Sequence, residues 1–192
     1  MIEMDPHAFW FRNDSVHMLF TASFDMKKDH FSGLLVFNPL PENGYRMVFM
    51  TEFGLKIFDM EYASETGFVV HYCIPSLNRR FIISLLQNDL GLLPGVPGHV
   101  QSARILYDRK SDSMIMQVRD KGTRYDCFIG EGTNKVYRII RSSRLFRKVQ
   151  VDYFSSDGTR LDAVSIAHYH IKLNIKLSRI DEITAPADGQ AL

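Results

Sequence analysis

Only one stretch of this chain, Ser76 to Leu90, reads as a helix, and almost everything around it reads as strand. Leu77, Phe81, Ile82, Leu85, Leu86 and Leu90 recur at helical spacing, with Ser76 placed as N-cap and Gly91 just past the end. One amphipathic helix cannot cover a large antiparallel sheet. Part of the apolar sheet surface is left for a partner, a ligand or a second layer, and function is to be sought there.

The strands follow from period-two alternation. In the first, Val16 to Phe24, Met18, Phe20, Ala22 and Phe24 share a side opposite His17, Leu19 and Thr21. In the last, Leu173, Ile175 and Leu177 face inward against Lys172, Asn174 and Lys176. Between them come Phe31 to Phe37, Tyr45 to Thr51, Leu55 to Met60 and Phe68 to Cys73. After the helix and the Gly91 to Gly98 loop, a meander runs from Ala103 to Leu177, with turns at Asp120-Lys121-Gly122 and Gly130-Glu131-Gly132. Tyr45 to Met50 and Phe68 to Val70 are apolar on both faces, which predicts that they form the sheet centre. The total is about a dozen strands, near the upper limit for an open sheet, so strong curling is expected. The fold class is mainly β (α+β).

At 192 residues the chain suits a single domain over 1–192, with 1–12 and 182–192 as frayed ends. Lys plus Arg number 23 against 22 acidic residues, so no global field draws in nucleic acid or an anionic membrane, and any charge effect must be local. No run reaches the roughly 18 apolar residues of a membrane helix. The start at Met1-Ile2-Glu3-Met4-Asp5-Pro6 has no export signal, which taken literally predicts a cytosolic protein and otherwise a trimmed one. Cys73 and Cys127 lie in apolar segments and read as buried small hydrophobes, a disulfide being the lesser alternative.

Three constellations carry potential chemistry. His168 and His170 project from one face of a strand and, with His71, are the candidates for a zinc or copper site, against the simpler reading of ordinary, partly exposed histidines. Arg138, Arg141, Arg144 and Arg147 form the anion or headgroup candidate. With Ser142-Ser143 at a hairpin tip, Arg141 faces Arg144 and Arg138 faces Arg147, an unfavourable pairing unless anions or carboxylates such as Asp126, Asp152 or Asp162 lie nearby. The many Phe and Met residues are mostly core, but their broad and flexible surfaces also suit acyl chains; Phe49, Phe58, Leu85, Met114 and Met116 are the cavity candidates. No Gly-x-Ser-x-Gly is present, and Gly130-Glu131-Gly132 is a turn, not a phosphate loop, so a non-enzymatic protein without cofactor is expected.

The stretch from His30-Phe31-Ser32-Gly33-Leu34-Leu35-Val36 through Tyr45-Arg46-Met47-Val48-Phe49-Met50-Thr51-Glu52-Phe53-Gly54-Leu55-Lys56-Ile57-Phe58-Asp59 resembles lipoproteins of the Bacteroidetes envelope. In element order, with its Asn88-Asp89-Leu90 helix end, the chain is similar to the LolA/LolB-like half-barrel of lipoprotein carriers. That resemblance implies a curved sheet around a hydrophobic cavity under helical cover. It also implies a periplasmic or envelope location, and a lipid or acylated protein as partner, with peripheral or anchored membrane association. The chain departs from it in having neither export signal nor N-terminal lipid-bearing cysteine. A structural or protein-interaction module using the apolar sheet face, as monomer or oligomer, is the competing expectation.

Overall fold

The computed structural model describes residues 17–40, 44–63, 66–93, 102–108 and 113–180. The frayed ends expected at 1–12 and 182–192, and most of the Gly91 to Gly98 loop, lie outside the described residues. In chain order the elements are β1 (Met18–Met26), β2 (Asp29–Leu40), β3 (Gly44–Met50), β4 (Lys56–Ala63), β5 (Gly67–Cys73), α1 (Arg80–Leu90), β6 (Ser102–Asp108), β7 (Ser113–Asp120), β8 (Thr123–Ile129), β9 (Val136–Ser142), β10 (Arg147–Phe154), β11 (Ala163–His168) and β12 (Leu173–Arg179). All twelve strands join one antiparallel sheet in the order β5-β4-β3-β2-β1-β12-β11-β10-β9-β8-β7-β6. Among the described residues the sheet curls without closing, a half-barrel with β5 and β6 as its outermost strands and one helix, as the strand count and the resemblance both led one to expect.

The alternation holds where the sheet is most central. Met18, Phe20, Ala22 and Phe24 of β1 are buried beside Leu173, Ile175 and Leu177 of β12, which pairs with β1 along its length. The centre of the sheet is β12–β11, with β1 beside it, not the doubly apolar segments. β5 is an edge strand, and Val69, Val70 and Tyr72 are exposed because no described strand pairs beyond it. The concave core holds an aromatic cluster in which the Phe24 and Phe49 rings are 4.6 Å apart and Phe49 and Phe58 5.4 Å.

Ser76 does not cap the helix. Ile74 to Arg79 form a separate turn, with Leu77 N–H and Asn78 N–H both donating to the Ile74 carbonyl, so α1 starts a turn later behind an extended Arg79 that has no side-chain cap. Ile82, Leu86 and Leu90 are buried by α1, while Phe81 faces solvent. Gly91 closes the helix in a right-handed conformation. A Cβ there would lie 2.6 Å from the Gln87 carbonyl oxygen and 3.0 Å from the Tyr45 hydroxyl, so close approach, and not a left-handed turn, accounts for the glycine.

Candidate functional site

The end of α1 is fastened inside the half-barrel by polar groups from several strands. Asp89 is fully buried, and its Oδ1 accepts from Arg141 Nη2 of β9 at 3.0 Å. Its other oxygen lies 2.7 Å from Nε2 of His168 at the end of β11. An ionised carboxylate can only accept, so a hydrogen bond to it requires a proton on His168 Nε2. Arg141 Nη1 also donates to the Asn88 carbonyl at 2.8 Å, placing a cation against the helix C-terminus, where the dipole favours it. Just beyond, Tyr153 Oη of β10 donates to the Leu92 carbonyl at 2.8 Å; complete burial holds that phenol well above its usual range.

These contacts, with Tyr45 of β3 beside Gly91, show that the helix end lies on the concave face between the two wings of the sheet. The rest of the cover is apolar: Leu77, Ile82, Leu86, Leu90, Leu92 and Leu93 join the sheet residues in one core cluster. Side-chain burial alone holds most of α1 to the sheet, and the Asp89 network fixes its position at one end. Burying three polar side chains together costs desolvation and contributes register more than raw stability.

The sequence-predicted residues fall into distinct places. Phe49, Phe58 and Met116 are buried in the core, and Leu85 and Met114 are partly buried against it. Arg138 and Arg141 face carboxylates of the chain itself. Arg138 is directly opposite Asp152 and bonded to it, while Arg141 is opposite Val149 and reaches Asp89. The expected like-charge register is thus corrected: a bulge between Arg147 and Val149 slips the hairpin, and Arg147 pairs with Ser142. Arg144 and Arg147 stand exposed at the hairpin tip. His168 and His170 border one cleft but have different partners, since β11 ends at His168 and His168 Nε2 is bonded to Asp89. His170 turns outward against the Phe146 ring, 5.3 Å away, and His71 is on β5 beside Glu61. No group of three or more metal-ligating side chains occurs among the described residues. Cys73 and Cys127 are both free thiols; burial pushes Cys127 up to about 12.

Sequence reasoning passed over Asp89 and Tyr153. A signal was present: Arg141 is two residues beyond the inward Ile139, and His168 two beyond the inward Ile166, so two polar groups point at the core and require an acid there. Asp89, seven residues after Ile82 on the buried helix stripe, is that acid.

An open half-barrel of this kind, with one helix on its concave face, is LolA-like in fold. The chain is similar to a LolA superfamily protein from Nitrosomonas europaea at 8% identity and TM-score 0.52, covering 91% of this chain and 89% of that one. It is also similar to a DUF1329 family protein from Desulfovibrio piger at 9% identity and TM-score 0.50, covering 90% and 88%. At such identity the likeness is one of fold. No family description and no curated protein matches the sequence. No helix among the described residues is long and apolar enough to cross a membrane.

Proposed function

We propose that this protein is a non-enzymatic envelope protein of the periplasmic side, which takes an acyl chain, a lipid or a lipid-modified protein onto its concave face beneath α1. The supporting observation is that, among the described residues, one eleven-residue helix, held by side-chain burial and one polar fastening, is the helical cover over a twelve-stranded sheet. On this reading α1 moves aside as a unit and carries Leu85 with it, while Phe49, Phe58, Met114 and Met116 of the sheet form the apolar wall against which the acyl chain replaces α1. Native mass spectrometry of protein purified without detergent, followed by organic extraction, tests it. A bound acyl lipid is the expected result. An unliganded mass, together with no saturable binding of a fluorescent fatty acid, overturns it.

A second reading has its own observation. Both outermost described strands carry exposed apolar residues, Val69, Val70 and Tyr72 on β5 and Ile105 and Leu106 on β6, which suits strand addition by a protein partner or a second copy. Sedimentation velocity across a concentration series separates it: a concentration-dependent dimer in the absence of lipid favours the interaction module.

A further inference from the structure

Because every neighbouring pair of strands is antiparallel, the ends of the strands sort into two rims. The turns β1–β2, β3–β4, β7–β8, β9–β10 and β11–β12, and the start of α1 after β5, all fall on one rim. There exposed apolar side chains stand beside cations three times over. The β3–β4 tip carries Phe53, 93% exposed, and Leu55, 69% exposed, next to Lys56, whose ammonium is paired with Asp59. The β9–β10 tip carries Leu145, 84% exposed, and Phe146 between Arg144 and the Arg147-Lys148 pair. The first turn of α1 exposes Phe81 directly after Arg79 and Arg80. The remaining turns add exposed Lys27, Lys28, Lys121 and Lys172.

The acids on this rim are few. Asp25 is hydrogen-bonded to His30 at 2.6 Å, and Asp29, Glu52 and Asp120 are the others in or flanking these turns. The opposite rim lacks this excess of cations: its described β8–β9 and β10–β11 turns hold Glu131, Asp157 and Asp162 against Lys135 and Arg160, with Arg160 paired to Asp162 and Asp157 held well below the usual carboxylate range by the Thr159 and Arg160 amides. A cleft of about 640 Å³ opens on the basic rim between the β1–β2 and β11–β12 turns. Lys27, Lys28, Lys172 and His170 reach into it alongside Asp25 and Asp29.

We infer that this rim is a docking surface for a bilayer carrying anionic headgroups. The apolar side chains stand in twos on two hairpin tips and singly on the first turn of α1, which suits shallow insertion between headgroups; the cations around them match phosphate. With a net charge of only +1, the attraction comes from the local excess of cations on this rim, not from the total. The inference is independent of what the concave face carries.

Vesicle co-sedimentation tests it, comparing pure phosphatidylcholine with a phosphatidylcholine and phosphatidylglycerol mixture. Binding is expected to the anionic vesicles only, and to weaken strongly between about 0.1 M and about 0.5 M salt. The pairs Phe53→Ser with Leu55→Ser, Leu145→Ser with Phe146→Ser, and Arg144→Glu with Arg147→Glu should each lower affinity roughly tenfold or more. Phe154→Ser, at an equally exposed aromatic on the opposite rim, should leave it unchanged, with circular dichroism confirming that every variant is folded. No binding, equal binding to both vesicles, or an equal loss in Phe154→Ser overturns the inference; capture by an acidic protein without vesicle binding assigns the rim to a protein partner and overturns it too.

Discussion

Asp89 and Arg141 are 52 residues apart in the chain and 3.0 Å apart in the fold, and through this pair the sole described helix is registered on the sheet. The carboxylate is fully buried and the guanidinium nearly so. Removing one partner strands the other charge, so Arg141→Met should cost about 3–5 kcal/mol in urea denaturation. Adding Asp89→Leu should recover much of that loss. A double variant no better than the single one would show that the pair does not act as a unit.

His168 completes the fastening from a different strand, with Nε2 2.7 Å from Asp89. His168→Phe removes that donor while leaving the β1–β12 core intact. Amide hydrogen exchange of α1 should quicken about tenfold or more, corresponding to roughly 1.4 kcal/mol of local opening, with β1 and β12 unchanged. Uniform acceleration over the whole sheet would contradict a local role.

On the convex side, Asp59 takes hydrogen bonds from Arg46 Nε and Nη2 at 2.8 and 3.0 Å and from Lys56 Nζ at 2.8 Å. The Arg46 bond, opposed by burial and aided by Lys56, lowers its pKa from 3.8 to about 2. A depressed folded pKa stabilises above the unfolded value. The contribution is therefore complete at neutral pH and is lost as pH falls from about 4 to about 2. Asp59→Asn should cost about 2 kcal/mol at pH 7, with the difference from wild type shrinking across that window in pH-dependent denaturation.

Gly33 of β2 lies against the backbone of Met50 and Thr51, and a Cβ there would fall 2.0 Å from the Met50 carbonyl oxygen. The backbone cannot yield that space locally, so Gly33→Ala should destabilise by about 3 kcal/mol or more, read from the thermal midpoint. At the β7–β8 turn the sign reverses. Lys121 and Gly122 both have positive φ, 43° and 81°, the two-residue turn that Asn-Gly fits best. Lys121→Asn should raise stability by about 0.5–1 kcal/mol.

The sequence by itself determined the mainly β class, the segments that become strands, the start of the described helix to within a turn, and the inward faces of β1 and β12. These are local matters of periodicity and turn chemistry, and Met18, Phe20, Ile175 and Leu177 obey them. Only the tertiary structure decided which strands are central and which are edges, because an apolar strand such as β5 looks the same in sequence with one neighbour or two. It also decided the partners of charge. Arg138 found Asp152 through a bulged register, and Arg141 and His168 found Asp89 across the concave face. Such pairings depend on how far a twelve-stranded sheet curls, a sum of small twists over all its strands that no short window of residues encodes.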